Sequence, residues 1–316
     1  MWKAAIVAAI ALLAILPAQA ADKVRAAKAV GSQWVFLPLD VGVEEGIFAK
    51  YDVDVEISTM SGEARVQQGL TAGSLDVGLA GNSGAALSVK GAPTIAVAVL
   101  GNAPRNFSVV VLADSPIKTV ADLKGKLVSG ATTGGLPEWL VKHLAVVEGW
   151  GADGIRSISV GSPDASLSAL RTRQVDAMMT ATATGLLLEQ QGIGRIVTQM
   201  GQFAPNYHAE MIFARTDFVQ QSPDVLRRFL TGLFASIAFI KANKEKTGDI
   251  AARVLHHDRA LVDRVYDIER PELSDDGHFD PSAIDALKQS FIEMGMLTEK
   301  PRDDQILTTR FVPVKP

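Results

Sequence analysis

The sequence holds no cysteine in 316 residues. That rules out a disulfide framework, and it removes the residue through which a lipid would tether an exported protein to a membrane. Long apolar runs are almost as scarce. The one that stands out, 4–16, has thirteen residues, fewer than the roughly 20 needed to cross a hydrocarbon layer. Lys3 precedes it, and Pro17-Ala18-Gln19-Ala20 follows it with the small residues a signal peptidase requires. The segment reads as an export signal cleaved after Ala20. No twin-arginine pair precedes the run, so the chain is expected to cross the membrane unfolded, which disfavours a bulky preloaded cofactor. Removing these residues leaves 296, and with Lys3 gone the formal charge moves from −4 to −5. An acidic chain argues against nucleic acid or an anionic membrane as partner.

Catalytic and metal motifs are missing as well. No G-x-S-x-G elbow, P-loop or G-x-G-x-x-G fingerprint occurs; Gly78-Leu79-Ala80-Gly81-Asn82-Ser83-Gly84 has the wrong glycine spacing. Ser115-Pro116-Ile117-Lys118 and Lys246-Thr247-Gly248 match S-x-x-K and K-T-G, but the serine precedes proline in a turn, Lys246 sits in a polar helical stretch, and the Ser-Asp-Asn element is absent. His256-His257-Asp258 puts adjacent side chains on diverging directions and lacks a metal-ligand spacing. The chain reads as neither an enzyme nor a metal or cofactor protein.

What is present is material for packing: 47% of the residues are hydrophobic. Short Val/Ile/Leu runs alternate with stretches of helical period, the pattern of an α/β protein with mostly parallel sheets. Strands are expected at 24–30, 53–57, 77–80, 94–100, 109–112, 127–129, 155–160, 175–179, 195–198 and 211–214. The last ninety or so residues read as helices, most clearly 222–244. There Ser222 is an N-cap candidate, Pro223 takes the first helical position, and Val225, Leu226, Phe229, Leu230, Leu233, Phe234 and Ile237 make one apolar face. Residues 67–77 also have an echo one hundred residues on, in which Leu70 meets Leu170 and Asp76 meets Asp176. This points to two similar lobes.

In open α/β sheets the ligand crevice lies at the carboxyl ends of the strands. The junctions there share a chemistry: Gly31-Ser32-Gln33-Trp34, Ser58-Thr59-Met60-Ser61-Gly62, Gly81-Asn82-Ser83-Gly84, Ser129-Gly130-Ala131-Thr132-Thr133-Gly134-Gly135, Gly161-Ser162-Pro163-Asp164 and Thr180-Ala181-Thr182-Ala183-Thr184. Any one of these is explained as helix capping. Six together suggest a polar cleft with uncharged donors and free helix N–H groups, suited to a small organic anion. Aromatics are only 6% of the chain, so Trp34, Phe36, Phe107 and Tyr207-His208 near the cleft or the crossings carry weight, with Arg105 as a counter-charge. The candidate ligand-binding residues are Gln33, Trp34, Phe36, Ser61, Gly62, Asn82, Ser83, Arg105, Thr132, Thr133, Gly134, Thr180, Tyr207 and His208.

Three stretches carry a family resemblance: Val43-Glu44-Glu45-Gly46-Ile47-Phe48-Ala49-Lys50-Tyr51-Asp52-Val53-Asp54-Val55-Glu56, Gly69-Leu70-Thr71-Ala72-Gly73-Ser74-Leu75-Asp76-Val77-Gly78, and Val120-Ala121-Asp122-Leu123-Lys124-Gly125-Lys126-Leu127-Val128 with its later partner Gln174-Val175-Asp176-Ala177. They resemble the periplasmic solute-binding proteins of ABC importers, in the nitrate, taurine and aliphatic-sulfonate branch that also includes binders of thiamine-pyrimidine precursors. Asp52 stands where glycine is commoner, and Thr180-Ala181-Thr182 replaces an acidic residue followed by proline. The resemblance implies a two-lobed type II binding-protein fold, with lobe one at 22–108 and 214–316, lobe two at 109–213, and two strand-like hinge crossings. It also implies delivery of a ligand, which it does not specify, to a membrane permease driven by a cytoplasmic ATPase; the junction hydroxyls and aromatics make a sulfonate or carboxylate the expected ligand, and the export signal without cysteine a monomer free in the periplasm. The alternatives are a neutral heterocycle as ligand, or an exported enzyme or sensor on the same fold.

Overall fold

The computed structural model describes residues 21–130 and 135–316. The segment expected to be an export signal and three of the candidate site residues, Thr132, Thr133 and Gly134, lie outside the described residues. In chain order the elements are β1 (Asp22–Lys28), α1 (Leu37–Glu44), β2 (Val53–Thr59), α2 (Glu63–Thr71), β3 (Val77–Gly81), α3 (Ser83–Val89), β4 (Thr94–Gly101), β5 (Phe107–Leu112), β6 (Leu127–Gly130), α4 (Leu136–Val147), β7 (Arg156–Ser159), α5 (Pro163–Arg171), β8 (Ala177–Ala181), α6 (Thr182–Gln190) and β9 (Gly194–Gln199). Then follow β10 (Glu210–Arg215), α7 (Thr216–Gln221), α8 (Pro223–Ala242), α9 (Lys244–Leu255), α10 (Arg259–Glu269) and α11 (Pro281–Glu293).

The strands form two five-stranded sheets, ordered β2-β1-β3-β10-β4 and β7-β6-β8-β5-β9. The two orders are the same pattern. β1 pairs in parallel with β2 and β3, as β6 does with β7 and β8. The fourth position in each sheet is taken by a strand arriving from the other lobe, β10 or β5, and it runs antiparallel to both neighbours. Each sheet is therefore mixed, not mostly parallel, because a strand that has just crossed between lobes enters from the opposite end.

The echo at Asp76 and Asp176 has a structural basis. Asp76 Oδ2 accepts the Arg25 N–H at 2.9 Å, and the Asp76 N–H donates to the Arg25 carbonyl at 2.8 Å. Asp176 does the same with Leu127, at 2.8 Å in both directions. Each aspartate clamps β1 or β6 to the parallel strand about to pair with it, β3 or β8. The strand predicted at 175–179 begins two residues later for this reason: Asp176 is committed to the clamp.

β3 is buried along its whole length, as a central strand covered on both faces must be. α8 buries the expected stripe against lobe one, with Leu226, Phe229, Leu230, Leu233, Phe234, Ile237 and Ile240 inside. Phe229 stacks on Phe48 at 5.5 Å, and truncating such a ring to alanine costs about 3–5 kcal/mol. Pro223 opens this helix, but the Ser222 side chain makes no cap bond.

Two segments cross between the sheets, 102–106 and 200–209. The boundary expected at 213/214 falls inside β10, which pairs wholly with β3 and β4 of the first sheet, so the second crossing lies upstream of it. Among the described residues no helix is long and apolar enough to cross a membrane.

Candidate functional site

Three strands of the first sheet bring one unusual row to the crevice end. Glu210, the first residue of β10, stands opposite Gly81 on one side and Gly101 on the other, the last residues of β3 and β4. Both neighbours lack a side chain, and carboxylates occupy the space. A Cβ at Gly81 would lie 2.1 Å from Glu63 Oε1, and one at Gly101 would lie 3.0 Å from Glu272 Oε1 and 3.3 Å from Glu210 Cβ. Glu63 is delivered by the first turn of α2, and its other oxygen accepts the Ser83 hydroxyl. Glu272 is held over Gly101 because its segment runs alongside β4: the Asn102 N–H donates to the Glu272 carbonyl, and the Ser274 N–H donates to the Leu100 carbonyl, both at 2.9 Å. Glu269, at the end of α10, acts electrostatically on both Glu210 and Glu272.

Five charged side chains are buried among the described residues: Lys28, Asp76, Glu210, Glu269 and Glu272. Lys28 is paired with Asp40 at 2.7 Å, and Asp76 with Arg25 at 2.7 Å and Arg215 at 3.2 Å. The three glutamates, 3%, 3% and 1% exposed in sequence order, have no such partner. Burial without a counter-ion disfavours the charged form. It pushes Glu269 up to about 8. Burial lifts Glu210 well above the carboxylate range, helped by the charge of Glu63, and it lifts Glu272 likewise, helped by Glu269 and Glu210. Glu63 is raised by burial despite the Ser83 hydrogen bond.

Asn106, in the first crossing, ties the row together. Its Nδ2 donates to Glu210 Oε1 at 3.1 Å and its backbone N–H to Glu272 Oε2 at 3.0 Å, while its carbonyl accepts the Thr182 N–H of the other lobe at 2.8 Å. Three buried atoms of the cluster are left without a hydrogen-bond partner: Glu210 Oε2, Glu272 Oε1 and Asn106 Oδ1. When the two carboxyls are ionised all three atoms are acceptors; in the protonated form that burial favours, each carboxyl also carries one O–H donor. Among the described residues no three acidic or histidine side chains converge as metal ligands would. Open hollows of about 500 and 490 Å³ lie elsewhere, one against α2 and α3, the other beside Arg105 and Gln199; the glutamates line neither.

Two of the candidate aromatics are buried in ring contacts, and one of them, Tyr207, stands next to the row. Trp34, buried just after β1, meets Tyr266 of α10 edge-on at 5.9 Å, and its indole N–H has no partner. Tyr207 lies within reach of Asn82 and Glu63. Its ring stacks on Trp139 of α4 at 4.6 Å, and its hydroxyl is 2.8 Å from Ser290 Oγ. Burial raises the Tyr207 phenol well above its ordinary value. Trp139 in turn stacks on His143 at 4.4 Å and donates through Nε1 to Glu293 of α11 at 2.7 Å. A helix of lobe two is thus fastened to lobe one across the crevice.

The candidate residues from the sequence divide accordingly. Asn82, Ser83 and Tyr207 come together around the glutamate row, while Trp34 is packed in the core against Tyr266. Asn82 is buried, with its Nδ2 donating to the His208 carbonyl at 2.9 Å. Phe36 is packed in the core. Gln33 is half-buried, and its carbonyl starts the short turn Trp34–Phe36. Ser61 is exposed, while Gly62 adopts φ 111° to lead into α2. Arg105 reaches Glu272 electrostatically, and its carbonyl accepts the Thr182 hydroxyl at 2.8 Å. Thr180 is buried in β8, opposite Ser108. His208 is structural: its Nε2 accepts the Asp280 N–H at 3.0 Å, and burial brings it down to about 4, which keeps it neutral. Sequence reasoning missed Glu63, Glu210, Glu269, Glu272, Asn106 and Trp139. One available signal was Glu210, a lone acid heading the otherwise apolar strand Met211-Ile212-Phe213-Ala214. Another was Gly-Asn ending two strands, at Gly81-Asn82 and Gly101-Asn102.

Comparison with known proteins places this architecture. A family model described as NMT1/THI5 like matches residues 33–247. The chain belongs to the NMT1/THI5-like family. A Brucella abortus protein provisionally named as a binding protein is 26% identical over 226 residues, covering 71% of this chain and 69% of its own length. Among solved structures, the periplasmic aliphatic sulphonate binding protein SsuA of Escherichia coli superposes with a TM-score of 0.78 at 19% identity, over 91% of this chain and 92% of that one. The alkanesulfonate-binding SsuA of Xanthomonas axonopodis pv. citri, bound to MOPS, gives 0.71 at 17% identity, over 90% and 96%. The desulfurization enzyme DszB also shares the fold, at 0.65 and 15% identity, over 92% and 97%. At these identities the structural likenesses establish the periplasmic-binding-protein fold and nothing about the ligand.

Proposed function

We propose that the protein is the substrate-binding component of an ABC importer: it captures a small molecule in the crevice between its lobes and presents the closed form to a membrane permease. The observation that carries this reading is the set of unpaired, buried polar atoms at the carboxyl ends of β3 and β4, where both crossings also run. A ligand there would touch both lobes and draw them together. The export signal and the absence of cysteine support a monomer free in the periplasm. The enzymatic reading of the same fold gains little from His208, the histidine beside Asn82, whose Nε2 is spent on the Asp280 backbone.

A sulfonate or carboxylate, expected from the hydroxyl-rich junctions, would require the buried glutamates to stay protonated beside it. A nitrogen-bearing ligand suits the crevice better. The test is transport: the purified protein, added to proteoliposomes holding the permease and ATPase encoded beside it, should stimulate ATP hydrolysis only when loaded with ligand. Conversion of a bound compound to a new product, seen by mass spectrometry, would replace this reading with an enzyme.

A further inference from the structure

We infer that the bound ligand is an organic cation, a protonated amine or amidinium with at least two N–H donors and a flat apolar part, seated on Glu210, Glu272 and Asn106 with Glu63 and Glu269 beside them. This deepens the importer reading and rests on it. The argument starts from the donors and acceptors. The partnerless atoms of the cluster are Glu210 Oε2, Glu272 Oε1 and Asn106 Oδ1, and once the two carboxyls ionise each of these is an acceptor that a donor on the occupant can fill. Three acceptors match the three N–H bonds of an ammonium, or one edge of an amidinium with its neighbouring N–H. An acceptor-only ligand such as a sulfonate satisfies none of them in that ionised state and could bond only to the protonated carboxyls.

Charge and shape agree. The cluster's glutamates carry no ion pair, whereas the buried Lys28 and Asp76 are both paired. A buried carboxylate is tolerated when it is matched by an opposite charge with good hydrogen bonds. Glycines at 81 and 101 open the sheet surface on either side of Glu210, and the carboxylates of Glu63 and Glu272 lean over those two positions. Tyr207, within reach of Glu63 and Asn82 and stacked on Trp139, gives the row an apolar aromatic side.

Ionisation of the row must accompany binding of a cation, so binding should release protons. The titratable and charged groups that bear on it are Glu63 from α2, Glu269 from α10, Glu210 and Glu272 themselves, Arg105 from the first crossing, and Tyr207 with Glu293 from the aromatic side. The carboxyls of Glu63, Glu210, Glu269 and Glu272 are all raised by burial. Cation affinity should therefore increase with pH.

The experiment uses the mature protein and matched probes: benzamidine against its uncharged analogue benzamide, tyramine and agmatine as further cations, and taurine and benzoate as anions. Binding is measured by calorimetry and thermal shift at pH 6 and pH 8. The expected result is that cations bind and raise the Tm, benzamide and the anions do not, affinity is at least tenfold higher at pH 8, and calorimetry in two buffers reads proton release. Glu210→Gln and Glu272→Gln, which keep the shape and remove buried charge, should each weaken cation binding at least tenfold with an unchanged circular dichroism spectrum. No response to any cation overturns the inference, as does cation binding that both Gln variants leave intact. Taurine or benzoate binding with proton uptake overturns it too, but leaves the importer reading standing; that reading is judged separately by the proteoliposome assay.

Discussion

Replacing Glu269 by glutamine tests the electrostatics of the crevice most directly. Burial holds the Glu269 carboxyl at about 8 in the folded protein, against an ordinary value of 4.5. The unfolded chain therefore loses this proton first as pH rises, and folded stability falls between those two values. A displacement of roughly 3.5 pH units at about 1.4 kcal/mol per unit amounts to an upper value of about 5 kcal/mol, fully felt above pH 8. At roughly 2 cal/mol/K per residue, unfolding about 296 residues carries an entropy of about 0.6 kcal/mol/K, so 5 kcal/mol corresponds to about 8 °C in Tm. Glu269→Gln removes the titration while keeping the side chain's shape and polarity. Wild type and variant should melt together near pH 4.5, diverge as pH rises, and differ by up to about 8 °C at pH 9, with the variant the more stable. Circular dichroism melts at five pH values without ligand decide the matter. A difference that stays constant with pH, or a variant that is less stable at pH 9, would refute the account of a buried and unpaired carboxyl.

Gly101→Ala should lower stability by about 1–3 kcal/mol in urea titrations, since the added Cβ lies 3.0 Å from Glu272 Oε1 and 3.3 Å from Glu210 Cβ in a packed row. Asp76→Ala removes the bonds to Arg25 and Arg215, whose side chains are 38% and 20% exposed, and should cost about 2–3 kcal/mol, whereas Asp176→Ala removes a more exposed bond to Leu127 and should cost about 1–2 kcal/mol; paired denaturation curves compare them. Burial alone would raise Asp76, but the Arg25 hydrogen bonds and the charges of Arg25 and Arg215 bring it below the usual range. Its contribution is present above the unfolded value and disappears as pH falls through the folded one, so Asp76→Asn should flatten acid unfolding below about pH 4. Trp139→Ala deletes both the stack on Tyr207 and the bond to Glu293, and small-angle scattering should read a larger radius of gyration.

The elements were legible because they are local. Each of the ten expected strands overlaps an observed one, since apolar runs of Val, Ile and Leu can be read without knowing their neighbours, and the Asp76/Asp176 echo marked two lobes that share a strand order. The antiparallel insertion of β5 and β10 was not legible, because direction in a sheet depends on which lobe a strand arrives from. The site was read from junction hydroxyls, and there Asn82 and Ser83 meet the row while Ser61 is exposed. The decisive acids, Glu63, Glu210, Glu269 and Glu272, are separated by up to 209 positions. They become one feature only when β10 slots between β3 and β4 and the segment after α10 runs along β4. In sequence each is an ordinary glutamate; burial without a partner is what distinguishes them, and burial is a tertiary property.

Their placement also bears on how the lobes would close. Glu210 begins β10 directly after the second crossing, Gly101 ends β4 directly before the first, and Asn106 within that crossing bonds Glu210, Glu272 and the start of α6. The row is thus anchored at the two segments that any rotation of one lobe against the other must bend. A charge that paired with Glu210 and Glu272 would act on the two side chains that Asn106 already bonds, and the Asn106 carbonyl links them to the first residue of α6. Arg264 to Glu189 and Gln190 to Asp258 add bonds between α6 and the α10 region at 2.6 and 2.9 Å. Exposed pairs of this kind are individually worth less than about 1 kcal/mol, too little to hold the lobes together by themselves. Buried carboxylates waiting for a counter-charge can supply a larger difference between open and closed forms. The strength of closure would then depend on the ligand's charge, and a permease that reads only the closed form would ignore molecules of the right shape that lack it.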